Sequence, residues 1–163
     1  MRAEQYLAEV QSEFQRIKRL AERAIAQVSE EDFFKVLNPE SNSIAIIVKH
    51  TAGNLRSRWR DFLTSDGEKP DRNREREFII DHTNTRDSLT KCWQEGWDRL
   101  FQALQALTPD DLDATVYISG EPFRVTQAIN RQLTHSACHV GQIVFLAKHL
   151  AGERWECLSI PRG

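Results

Sequence analysis

Four stretches of this chain repeat apolar residues at intervals of three and four, and that period limits the folds open to it more than any other feature. Between residues 3 and 28 the series is Ala3, Leu7, Val10, Phe14, Ile17, Ala21, Ala24 and Val28, with Glu, Gln, Arg and Lys between them. Such a stripe is the buried face of a long amphipathic helix. A second helix starts at Ser41 or Ser43 and runs to about Leu63 on Ile44, Ile47, Val48, Thr51, Leu55, Trp59 and Phe62. A third, from about Thr85 to Leu107, buries Leu89, Trp93, Gly96, Trp97, Leu100, Leu104 and Leu107. A fourth is capped by Thr126, runs to about Leu150 and is ended by Gly152.

The connections add to this. Ser29 before Glu30-Glu31-Asp32 starts a short helical turn carrying Phe33 and Phe34, and Asn38-Pro39 breaks the chain. Thr115–Ile118 and Phe123–Val125 flank Ser119-Gly120 and read as a small β-hairpin before the last helix. The polar link after the second helix has about 22 residues, enough to travel the roughly 30 Å of a helix in extended form. Within it, Phe78-Ile79-Ile80 reads as a small tethering patch. Two long links predict an all-α four-helix bundle with crossover connections and parallel middle helices, in one domain spanning residues 1–163.

The net charge of −2 gives no field that draws nucleic acid or an anionic membrane. The three cysteines, Cys92, Cys138 and Cys157, are odd in number and widely spaced, so a reduced setting is expected and not a disulfide framework. Met1-Arg-Ala-Glu-Gln-Tyr has no apolar signal, and no run approaches the ~20 residues of a membrane span. A soluble cytoplasmic protein is expected.

Three imidazoles interrupt this pattern. The fourth helix's stripe runs Val125, Ala128, Ile129, Gln132, His135, Ser136, His139, Val140, Ile143, so polar residues occupy its centre. Residues four apart on a helix are neighbours, which suits two imidazoles on one metal at about 2.1 Å each. His50 lies at the inner edge of the second helix's stripe and can add a third. Three protein ligands leave coordination positions open, as in catalytic sites. The zinc-protease form His-Glu-x-x-His is absent, since Ser136 stands at the glutamate position, so no general base is named and metal-activated water takes that role. A non-catalytic module binding a metal or small ligand, as in a stress-response protein, is the other class the pattern allows.

Other residues are weighed on the same terms. Asn54, one turn after His50, and Gln132 and Ser136 are candidate pocket residues. Gly53 is unusual in mid-helix, where it costs about 1 kcal/mol relative to Ala, and points to close packing or a ligand. Arg56, Arg58, Arg60, Arg72, Arg74 and Arg76 form a locally basic region that can bind a carboxylate-bearing thiol or a phosphate, but they are interleaved with acids and read first as a solvated face. Trp59, Trp93, Trp97 and Trp155 read as core or dimer packing. Cys138 reads as a small buried residue, and His82 and His149 as non-ligands.

Gln132-Leu-Thr-His135-Ser-Ala-Cys-His139-Val-Gly-Gln142-Ile resembles the last helix of the DinB/YfiT-like superfamily, and Val48-Lys-His50-Thr-Ala-Gly-Asn54-Leu its second-helix motif. Arg58-Trp59-Arg-Asp61-Phe62 through Pro70, and Leu158-Ser-Ile-Pro-Arg162-Gly at the end, resemble one bacterial branch of it. The resemblance implies a bundle with parallel middle helices and a divalent metal on His50, His135 and His139; imidazole ligands suit zinc or nickel, and the sequence does not choose between them. The resemblance also implies a metal-dependent enzyme, often a homodimer, acting on a small-molecule substrate. The reaction would be hydrolysis, or transfer of a low-molecular-weight thiol such as bacillithiol or mycothiol.

Overall fold

In a computed structural model, which describes residues 3–160, the regular structure consists of five α-helices, three short 3-10 turns and one hairpin. Met1, Arg2 and the final Pro161-Arg162-Gly163 of the terminal motif lie outside the described residues. The helices are α1 (Ala3–Ile25), the short α2 (Glu30–Phe34), α3 (Ile44–Trp59), α4 (Arg86–Ala106) and α5 (Val125–Ala151). Strands β1 (Thr115–Ile118) and β2 (Glu121–Arg124) pair antiparallel just before α5.

The helix starts follow local chemistry. Ser29, Ser43 and Thr85 each accept a hydrogen bond from a backbone N–H three residues on, satisfying a donor that has no partner within the helix. The last helix begins earlier than expected. Arg124, not Thr126, is its first flanking residue, and Gln127 Oε1 accepts from the Arg124 amide at 2.9 Å. Gly152, at φ 56°, ends it as expected.

Two helices are shorter than their stripes. α1 stops at Ile25, although Val28 still packs into the core. α3 stops at Trp59 because Asp61 adopts φ 49° and its carbonyl accepts from the Thr64 and Ser65 amides. Phe62 stays buried off the helix, against Trp59. An apolar period therefore overestimates a helix whose flanking turn also faces the core.

The middle helices run parallel. Moving along α3, Val48 lies beside Thr90 and Trp93, Ala52 against Gly96, and Trp59 beside Arg99 and Ala103. α1 and α5 are parallel too: the Tyr6 hydroxyl donates to Asn130 Oδ1 at 2.9 Å, and Arg23 reaches the Leu158 carbonyl beyond the end of α5. The two pairs oppose each other, with His50 beside His139 and Trp59 beside Gln132. Between them lies a core in which Phe14, Trp93, Trp97, Leu100, Ile129 and Ile143 are fully buried.

The link between α3 and α4 is fastened at several points. The Ser57 hydroxyl donates to the Gly67 carbonyl and accepts from the Lys69 amide. Asp66 accepts from the Ser119 and Gly120 amides at the hairpin tip, at 2.8 and 2.7 Å. Both tip residues have positive φ, as a two-residue hairpin turn requires. Phe78-Ile79-Ile80 tethers only in part: Ile79 is exposed, while Phe78 packs on the His50 ring.

Candidate metal centre

α3 brings His50, and α5 brings His135 and His139, to one place. One nitrogen from each ring lies within 4.8 Å of the others. The His135 and His139 Nε2 atoms are 3.2 Å apart, and the His50 ring centre is 4.9 and 5.6 Å from those of His139 and His135. His50 is buried, but His135 and His139 are half-buried and not at the centre of the stripe. Gln132, Ser136 and Val140 take the core positions of α5, which leaves the histidines at its edge.

Hydrogen bonds fix two of the tautomers. Glu77 Oε2 accepts from His50 Nδ1 at 2.8 Å, and Gln142 Oε1 accepts from His139 Nδ1 at 3.0 Å. Both Nε2 atoms are then free of protons. His135 Nδ1 is buried and has no partner. Burial first, then the neighbouring His139 and His50, push the His135 pKa down from 6.5 to about 4. Burial lowers that of His139 as well. Unprotonated imidazole is the form that ligates, and ring nitrogens this close fit one cation with bonds of about 2.0–2.1 Å. Among the described residues no fourth histidine, cysteine or carboxylate joins them.

Glu77 was not legible as a site residue, yet it orients His50. It lies on a 3-10 turn, Glu75–Phe78, within the long link. Arg72 grips its carboxylate with Nε at 2.7 Å and Nη2 at 2.8 Å, and also binds Glu68. Burial works to raise the Glu77 pKa, but the bonds from Arg72 and His50 outweigh it and hold the carboxyl below its ordinary value. A carboxylate behind a ligating histidine sets its tautomer and raises its basicity. Gly53 makes the room: a Cβ there would lie 2.7 Å from Glu77 Cδ. The mid-helix glycine was thus the available signal, though its partner is 24 residues away in sequence.

Beside the cluster is a cleft of about 670 Å³, lined by His50, Asn54, Arg58, Arg72, Arg131, Gln132 and His135 among others. Of the three candidate pocket residues, Asn54 and Gln132 line this cleft and Ser136 is fully buried. Gln132 Oε1 accepts from Trp59 Nε1 at 3.3 Å, and its Nε2 donates to Ser136 Oγ at 3.2 Å. Asn54 Oδ1 is buried with no partner.

Residues 1–163 match the family described as Protein of unknown function (DUF1572). The chain belongs to that family. No curated protein matches it. Two sequence expectations need correcting in this DUF1572 chain. Arg58 and Arg72 are not part of a solvated face: Arg58 is 9 % exposed and the Arg72 side chain 6 %. Cys138 is exposed, because α5 turns that side away from its neighbours. Trp59, Trp93 and Trp97 are core, as expected. Among the described residues no helix is long and apolar enough to cross a membrane.

Proposed function

We propose that this chain is a metal-dependent enzyme acting on a small molecule, with a divalent cation held by His50, His135 and His139. The observation that carries the reading is the convergence of three imidazoles beside a cleft, with no fourth protein ligand among the described residues. Zinc and nickel both suit such a donor set. When bound, the ion supplies Lewis acidity, polarising a substrate oxygen or easing deprotonation of a nucleophile.

The chain's own residues supply the rest. Glu77 and Gln142 hold His50 and His139 with Nε2 free of a proton. Arg72 keeps Glu77 ionised. The Asn54 amide is left to meet the substrate. The reaction is hydrolysis or transfer of a low-molecular-weight thiol of the bacillithiol or mycothiol kind. Membership of the DinB/YfiT-like superfamily is part of the proposal, supported by the parallel middle helices and by the positions of the two histidine motifs on α3 and α5.

Elemental analysis of protein purified without added metal tests this first. About one zinc or nickel per chain is expected, and His139→Ala should lose it while keeping its far-UV helicity. Equal metal content in that variant refutes the ligand assignment. A screen of esters, amides and electrophile–thiol pairs then tests turnover. Bound metal with no turnover of any class would favour a non-catalytic binding module.

A further inference from the structure

The cleft beside the histidines carries a charge imbalance that packing does not explain. Four arginines line it: Arg58, Arg72, Arg74 and Arg131. Arg72 takes both nearby carboxylates, Glu68 and Glu77. Among the described residues no carboxylate pairs with the other three. Arg74 lies over the Phe78 ring and Arg131 over the Phe123 ring, which aligns them without neutralising them.

Arg58 is the telling case. It is about nine-tenths buried, and its Nε is buried without a partner. Glu68 and Asp66 offset its charge only at a distance, and Arg131 and Arg72 act against them. A guanidinium does not lose its proton in a protein, so burial without a counter-ion is costly. The fold nevertheless builds a place for it. A Cβ on Gly67 would lie 2.6 Å from Arg58 Cδ and 2.9 Å from Nε, so only glycine lets the side chain lie along the link. Ser57 and the Tyr117 carbonyl fasten that glycine in turn.

We propose that this cleft binds an oxyanion of the substrate, a carboxylate or a phosphate, with Arg58 as its buried anchor and Arg131 at the rim. A planar guanidinium meets either group through two parallel hydrogen bonds. The unpaired Asn54 Oδ1, in the same cleft, accepts from a hydroxyl, amine or thiol on the same ligand. The substrate is therefore a small anion carrying a hydrogen-bond donor near its charged end. The assignment rests on the histidine cluster being the reacting centre, since it supplies the specificity of that same site.

Calorimetric titration of the full metal-free chain with acetate, malate and inorganic phosphate at low salt tests this. Without metal, no ion on the histidines can capture the anion itself. Malate or phosphate should bind one to one, and the preferred one identifies the group recognised. Arg58→Gln should weaken binding at least about tenfold, the loss of a charge-assisted bond. Arg131→Gln, at an exposed position, should weaken it severalfold even if the Arg58 variant folds poorly. Arg56→Gln, which lines a different cleft, should bind like the unaltered chain. If none of the three anions binds at millimolar concentration, or both cleft variants bind normally, the proposal is overturned. Zinc titration of the same samples separates the two readings. Zinc binding without anion binding sinks only the oxyanion cleft, and anion binding by a chain that takes no metal sinks only the metal-dependent enzyme.

Discussion

Replacing Glu77 by glutamine keeps the side chain's shape and removes the charge that Arg72 and His50 share. Glutamine leaves one neutral acceptor oxygen for His50 and Arg72 to share, so the hold on the His50 tautomer weakens and zinc or nickel affinity should fall about 10- to 100-fold in a metal titration. Arg72 keeps Glu68, so the stability loss on chemical denaturation should be moderate, about 1–3 kcal/mol. The pH response of the metal-free chain follows from His135. Its folded pKa of about 4 lies below the ordinary 6.5. The unfolded chain therefore takes up a proton first as pH falls, and stability should decline between about 6.5 and 4 and level off below. His135→Gln should flatten that part of the profile. At this scale the sequence showed the ligands but not their support. His135 and His139 declare themselves by helical spacing within an apolar stripe. Glu77 and Arg58 are ordinary charged residues in a polar context, and only folding removes them from water.

Among the elements, α3 is the one whose character a single stripe misjudges. Twelve of its 16 residues are buried, because α4, α5 and the link all pack on it. A helix covered on most sides has no clean polar face, which is why Arg58 looked solvated. Its approach to α4 depends on Gly96, where a Cβ would lie 3.0 Å from the Ala52 carbonyl oxygen and 3.1 Å from its Cα. The obstacle is backbone, which cannot rotate away. Gly96→Val should cost about 2 kcal/mol or more in urea denaturation, although glycine is the weaker helix former. The parallel order of α3 and α4 was legible because the link between them is too long for a tight turn. The ends of α1 and α3 were not, since Val28 and Phe62 remain in the core after the helix has stopped.

For the molecule as a whole, the histidines span the seam between the α3/α4 pair and the α1/α5 pair. A cation there would tie the two pairs together across a core already filled by Phe14, Trp93, Trp97, Leu100, Ile129 and Ile143. Removing metal with a chelator should lower Tm while leaving helicity intact. At a hundredfold excess of free ion over Kd the difference is about 2.7 kcal/mol, or roughly 5–10 °C for a chain of this size. An unchanged Tm would mean that the rings do not bind the ion in the folded state. The parallel pair also has a consequence for how such a protein can change. After α3 the chain must return along about 24 Å of helix before α4 begins, and that obligatory return segment contributes Glu68, Arg72 and Glu77. Side chains can be exchanged on that segment, and with them the charges behind His50 and along the cleft, without any change to the helices it joins.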